Sequence, residues 1–93
     1  MVRVIFHQRF NKELETILIY IYGYSPQNSK NLNLEIKTKI KTLTTAPYIG
    51  RIASYDNNIR ELIHKGYVIP YNVDKETVVI LGIYGANKWS VEV

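Results

Sequence analysis

The chain has 93 residues, of which 46% are apolar, and it contains no cysteine. This excludes a disordered chain, a disulfide framework and a second sizeable core, so we expect a single domain over residues 1–93 in a reducing compartment. The net charge of +4 favours an anionic partner such as RNA, DNA or an acidic protein, with improved solubility as the alternative interpretation.

The N-terminal residues, MVRVIFHQRF, lack the long apolar core and small-residue cleavage site of a signal peptide. The most apolar stretch, residues 14–24, is interrupted by Glu15 and is too short to cross a bilayer. We therefore expect a cytoplasmic protein without membrane contact. Residues 2–6 (VRVIF) are mostly β-branched, which predicts a first strand.

Two amphipathic helices are predicted next. Apolar residues at helical spacing form one stripe in each helix, namely Phe10, Leu14, Ile17, Leu18 and Ile21, then Leu32, Ile36, Ile40 and Leu43. Charged residues of the first helix, Glu13 among them, are expected to face solvent. Gly23 is expected to end that helix in the left-handed conformation. Ser25 as N-cap and Pro26 as first helical residue are expected to begin the second helix.

Residues 47–58 (PYIGRIASYDNN) have no regular pattern and predict a loop with a short extended piece. Three stretches rich in β-branched and aromatic residues follow at 59–64, 67–73 and 77–84, separated by short turns. With the first strand they predict an α+β fold of order β-α-α-β-β-β. A helical hairpin then packs on a four-stranded, mainly antiparallel sheet.

Two features of this sheet stand out in the sequence. Pro70 removes one hydrogen bond from an otherwise regular strand, so it requires a bulge or an edge position. The last strand is apolar on both sides, which makes the sheet face away from the helices a candidate surface for a partner.

The order of these elements resembles the RelE/ParE superfamily of bacterial type II toxins, over nearly the whole chain and nearer to the ParE branch. The resemblance rests on these residues and runs: Phe10, Leu14, Leu43, Pro47, Gly50, Arg60-Glu61-Leu62, Tyr67-Val68-Ile69-Pro70-Tyr71 and Val79-Ile80-Leu81-Gly82-Ile83. It implies a toxin neutralised by an adjacent antitoxin, whose segment wraps it in a hetero-oligomer. It further implies either poisoning of DNA gyrase, as by ParE-like members, or cleavage of ribosome-bound messenger RNA, as by RelE-like members.

Metal-independent RNA cleavage needs a base, an acid and cations around the phosphate. In the RelE-like enzymes that this chain resembles, these groups come partly from the segment after the last strand, where this chain has residues 85–87, Gly-Ala-Asn. By this resemblance, Arg60 alone corresponds to a functional residue of the nucleases. The strand repeat places Arg60 and His64 on one face, which makes them the candidate catalytic residues. Alternatively, His64 ends a strand without a chemical role, and Arg60 pairs with a carboxylate such as Asp56.

Basic and aromatic residues supply the candidates for contact with the target or with nucleic acid: Arg51, Arg60, Tyr84, Lys88 and Trp89. The spacing of His, Asp and Glu indicates no metal site, and no glycine-rich phosphate loop is present, so we expect no cofactor.

The favoured hypothesis is therefore a ParE-like toxin that binds gyrase without being an enzyme, and that an acidic antitoxin neutralises. The alternatives are a metal-independent endoribonuclease of the RelE kind and a non-toxic interaction module.

Overall fold

The computed structural model describes residues 2–85, so Lys88 and Trp89 lie outside it. The elements are β1 (Arg3–Phe6), α1 (Gln8–Tyr22), α2 (Pro26–Lys41), a 3-10 turn (Thr42–Thr44), β2 (Arg51–Ala53), β3 (Asp56–His64), β4 (Tyr67–Asp74), β5 (Thr77–Ile80) and β6 (Tyr84–Gly85). The predicted α+β class, with a helical hairpin on a mainly antiparallel sheet, is confirmed. The described residues form six strands instead of four, because β2 precedes the meander and the last predicted strand is divided into β5 and β6.

The sheet order is β1-β5-β4-β3-β2, and β6 pairs with β4 beyond the end of β5. β1 runs parallel to β5, whereas the other pairings are antiparallel. Both helices cover one face of this sheet. The core between them contains the buried apolar residues of both predicted helical stripes together with Leu62, Ile69, Tyr71, Val78, Ile80 and Ile83.

The helix ends follow from local side chains. The His7 imidazole accepts the Arg9 backbone N–H at 3.0 Å, and the Ser25 hydroxyl accepts that of Asn28 at 3.1 Å. Ser25 is therefore the N-cap of α2 as predicted, with Pro26 at its first position. Gly23 ends α1, but the predicted left-handed conformation is wrong, since its φ is −62°. The backbone remains right-handed because the next two N–H groups both bond back to the Ile21 carbonyl in a tight turn.

Pro70 is accommodated by a bulge on the neighbouring strand. Residues 81–83 lie between the paired positions Ile80 and Tyr84, whereas only residues 69 and 70 lie opposite them on β4. The Pro70 carbonyl accepts the Leu81 N–H at 2.9 Å, so the position that lacks an N–H faces this bulge. The bulge is the first of the two solutions that the sequence allowed.

Glu13 fastens this bulge to α1. Its Oε1 accepts the Ile83 backbone N–H at 3.0 Å, while its Oε2 pairs with the Arg9 Nε at 3.0 Å. A side chain at Gly82 would collide with the same carboxylate. The expectation that Glu13 faces solvent is therefore wrong, because the strand bulge turns a backbone donor toward the helix. Within residues 2–85, no helix combines the length and the apolar character needed to cross a membrane.

Candidate target-binding surfaces

Arg60 and His64 lie on the helix-covered face of β3, on either side of the buried Leu62. Four residues of extended strand place their backbones about 13 Å apart. The sequence correctly predicts that they share a face, but the structure does not bring them together around one site.

His64 is engaged at the far end of the β3–β4 hairpin. Its Nε2 lies 2.8 Å from the Glu35 Oε1, and the Lys65 Nζ lies 2.9 Å from the same oxygen. The hydrogen bond from His64, followed by that from Lys65, lowers the pKa of the Glu35 carboxyl. The three groups therefore form a polar link between α2 and the turn after β3. Lys65 and Gly66 provide the positive φ angles, 49° and 83°, that this two-residue turn requires.

Arg60 holds the loop that precedes β2. Its Nη1 donates to the Tyr48 carbonyl at 3.1 Å and to the Gly50 carbonyl at 2.9 Å, and its guanidinium lies 5.1 Å from the centre of the Tyr48 ring. The alternative partner from the sequence, Asp56, is wrong. Its carboxylate instead accepts the Asn58 backbone N–H at 2.8 Å, within its own turn at the start of β3.

Gly50 is held from a second side by the core. The Tyr71 hydroxyl accepts its backbone N–H at 2.8 Å in a buried bond between residues far apart in the chain. A Cβ at Gly50 would lie 2.6 Å from that hydroxyl and 2.8 Å from the Glu61 carbonyl oxygen, so a larger residue does not fit. Burial raises the pKa of the Tyr71 phenol, which therefore remains protonated at neutral pH. The loop from residue 48 to 50 is thus fixed by Arg60 and Tyr71 together.

The opposite face of β3 carries a second polar cluster around Glu61. This carboxylate is only 5% exposed. Its Oε1 accepts the Arg51 Nε at 2.9 Å and its Oε2 accepts the Tyr84 hydroxyl at 2.9 Å. Burial, followed by the hydrogen bond to Glu61, raises the pKa of the Tyr84 phenol far above its ordinary value. Tyr84 therefore remains a hydrogen-bond donor that ties β6 to β3.

The structural role of Glu61 was not predicted from the sequence. The signal that could have revealed it is an acidic residue within the predicted strand 59–64, where a carboxylate on a covered sheet face requires a partner. Arg51 and Tyr84, two of the predicted contact residues, lie together in this cluster, and Arg60 lies apart from them on the other face. Arg51 pairs with the buried Glu61 carboxylate, yet its own side chain is 63% exposed. It therefore neutralises Glu61 and still faces solvent.

The helical hairpin has an apolar groove on its outer side. The groove has a volume of about 370 Å³ and is lined by Leu14, Leu18, Ile19, Tyr22 and Lys37, among others. Ile19 and Tyr22 are 66% and 62% exposed, which is unusual for large apolar side chains on a helix that also packs on a core. Tyr20 and Tyr24 extend this surface past the end of α1, with ring centres 5.2 Å apart.

Comparisons with known proteins agree with this architecture. Residues 4–87 match the family model described as the ParE toxin of the type II toxin–antitoxin system, parDE. In structure, the chain is similar to a protein solved as the chromosomal ParDE TA system from P. aeruginosa. The TM-score is 0.77 at 19% identity, over 91% of this chain and 96% of the other. No curated protein sequence matches the chain.

Proposed function

This chain belongs to the ParE toxin family of type II toxin–antitoxin systems, and we propose from that membership that it stops growth by binding a protein target, with DNA gyrase as the first candidate. The proposal treats the protein as a blocker of its target, without an RNA-cleaving reaction of its own. Neutralisation by an acidic antitoxin made from the same operon completes the proposed system.

The observation that carries the proposal is the state of the candidate catalytic groups. Acid–base catalysis needs donor and acceptor groups within hydrogen-bond reach of one reacting phosphate. His64 is hydrogen-bonded to Glu35, and Arg60 donates two hydrogen bonds to backbone carbonyls. The backbones of these two residues are about 13 Å apart along the strand. Glu61 and Tyr84 are of residue types that serve as acid and base in catalysis. However, they are hydrogen-bonded to each other at 2.9 Å, and Glu61 is nearly inaccessible to solvent.

The helical hairpin supports the antitoxin part of the proposal. The groove is lined by apolar side chains and carries one charge of each sign, Glu15 and Lys37, so its apolar lining suits a segment with apolar side chains on one face. The net charge of +4 on the whole chain favours an acidic segment. Tyr22→Ala and Ile19→Asp in that groove are expected to weaken antitoxin binding at least about tenfold, because tyrosine anchors dominate such contacts and a carboxylate at position 19 would be buried without a partner. Isothermal titration with the purified antitoxin measures the loss. Unchanged affinity in both variants would place the antitoxin elsewhere.

Induction of the chain in cells without its neighbouring gene tests the toxic function. We expect growth arrest, DNA breaks and, with the purified protein, inhibition of gyrase supercoiling that added antitoxin relieves. Messages cut at ribosome-bound codons would instead establish the ribonuclease. Normal growth at a verified level of soluble protein would favour the non-toxic interaction module.

A further inference from the structure

One edge of the Arg60 guanidinium has no hydrogen-bond acceptor in the part of the chain that the structure describes. Among the described residues, the side-chain hydrogen bonds of Arg60 both leave from Nη1, toward the carbonyls of Tyr48 and Gly50. Within residues 2–85, neither Nε nor Nη2 of Arg60 has a hydrogen-bond acceptor. A carboxylate binds arginine with two parallel hydrogen bonds at such an edge. The side chain is therefore fixed at one end and available at the other.

Exposed apolar side chains surround this guanidinium. The Tyr48 ring lies beneath it, and Ile52 is its cross-strand neighbour on β2. Tyr48, Ile49 and Ile52 are 62%, 63% and 53% exposed. We call these three residues with Arg60 the Arg60 patch. Tyrosine and arginine among aliphatic residues is the composition of energetically dominant sites in protein interfaces.

The Arg60 patch is also held in place before any partner arrives. Gly50 is bonded through its N–H to Tyr71 and through its carbonyl to Arg60, so the backbone that carries Tyr48 and Ile49 is fixed to the core. A surface that is already ordered loses little conformational entropy on binding. This distinguishes the patch from an exposed loop that merely happens to be apolar.

We propose that the Arg60 patch is the surface through which this toxin binds its protein target, with an Asp or Glu of the target on the Nε–Nη2 edge of Arg60 and apolar target side chains against Tyr48, Ile49 and Ile52. This inference rests on the proposed function and names the part of the molecule that performs it. A nucleic acid is the less suitable partner, because interfaces with nucleic acid are polar and strongly basic, whereas three of the four residues here are apolar or aromatic.

The patch and the helical hairpin are separate surfaces. The patch lies at the β2 edge of the sheet, whereas the groove lies between the two helices, so changes in the patch are expected to separate toxicity from antitoxin binding. Arg60→Lys keeps the charge but removes the planar two-donor edge. Tyr48→Ala, Ile49→Asp and Ile52→Asp alter the rim, and Tyr48→Phe preserves the ring.

The experiment scores each variant for growth arrest on induction without antitoxin, for antitoxin affinity and for the urea midpoint of unfolding. We expect Arg60→Lys, Tyr48→Ala and Ile49→Asp to need at least about tenfold more protein for half-maximal arrest, with antitoxin affinity unchanged. Tyr48→Phe should remain toxic. Leu34→Ala removes a comparably exposed side chain outside both surfaces and should also remain toxic.

Full toxicity of Ile49→Asp and Ile52→Asp would overturn the proposal, because each change places a charge in the patch. Both side chains are exposed, so these variants are expected to fold normally. Loss of antitoxin affinity together with toxicity would also contradict it, since the patch would then be structural. If the wild-type chain arrests growth but leaves gyrase active, gyrase is the wrong target while the patch is still tested by growth. If it cuts messenger RNA, or arrests nothing, the patch proposal fails with the function.

Discussion

Arg60 and Glu61 are neighbours in β3, but their side chains lie on opposite faces of the sheet and differ in how completely they are hydrogen-bonded. Glu61 is buried, and both of its oxygens accept hydrogen bonds, from Arg51 and from Tyr84. Arg60 is half-buried, and among the described residues it donates hydrogen bonds from one nitrogen, Nη1, to carbonyls of the loop that precedes β2. A charge whose bonds are all satisfied internally holds a fold together, whereas one that is half satisfied is available to a partner. On this ground we propose that Glu61 is the structural member of the pair and that Arg60 is the one that binds a partner.

The largest expected effect comes from Gly50→Ala, which breaks the Arg60 side of the comparison. The added methyl group collides with the Tyr71 hydroxyl and with backbone, so we expect a loss of about 2–3 kcal/mol in the free energy of unfolding. Toxicity should fall as well, because the Gly50 carbonyl that positions Arg60 moves. Urea denaturation measures the first effect and growth arrest the second. Wild-type stability in this variant would mean that the loop is loosely attached.

Removal of the Glu61 carboxylate tests the other face. Glu61→Ala leaves the half-buried Tyr84 hydroxyl without this acceptor, and we expect a loss of about 2 kcal/mol. Glu61→Gln is the matched control, since it keeps an acceptor for Tyr84 and should cost about half as much. When each variant is compared with the wild type at the same level of soluble protein, both should retain toxicity. Loss of toxicity at wild-type stability would show that Glu61, and not Arg60, is the functional member of the pair.

Tyr71→Phe is expected to have a smaller effect. It removes the hydroxyl that accepts the Gly50 N–H but keeps the buried ring, so we expect a loss of about 1 kcal/mol in urea denaturation. Hydrogen exchange at the Gly50 amide should become faster than in the wild-type protein. Unchanged exchange there would indicate that Arg60 alone is sufficient to hold the loop.

The smallest effect is expected at the link between α2 and the β3–β4 turn. The pKa of Glu35 is lowered from its ordinary value of 4.5 by His64 and Lys65. Its contribution to stability is therefore complete above pH 4.5 and is lost as the pH falls toward the lowered value. Glu35→Gln should be less stable than wild type at neutral pH, and the difference should shrink below pH 4.5 in urea titrations. A difference that grows on acidification would contradict this sign.

Much of the fold follows from local sequence signals. The two apolar stripes, the Ser25 cap and the Lys65-Gly66 turn each depend on residues close in the chain, and each is found where the pattern predicts it. The missing donor at Pro70 likewise predicts either a bulge or an edge position, and the structure has the bulge.

The contacts that organise the candidate surfaces are not local. Glu13 binds a backbone group 70 residues away, and Gly50 meets Tyr71 at a separation of 21. Such contacts depend on which strands become neighbours and on where the register shifts, and neither is encoded in a helical or strand repeat. For this reason the sequence identifies Arg60 as a residue of interest, but the carboxylate that it offers as one possible partner, Asp56, is not bonded to Arg60, and the role of Glu61 is overlooked.

The parallel pairing of β1 with β5 has a consequence for biosynthesis. The register joins Arg3 to Thr77 and Phe6 to Ile80, so β1 has no parallel partner strand until β5 has been synthesised. A nascent chain that still lacks β5 therefore cannot complete this sheet, because long-range pairing must wait for the distant segment. β1 can therefore join the sheet only after translation has passed Ile80, the last residue in its register with β5.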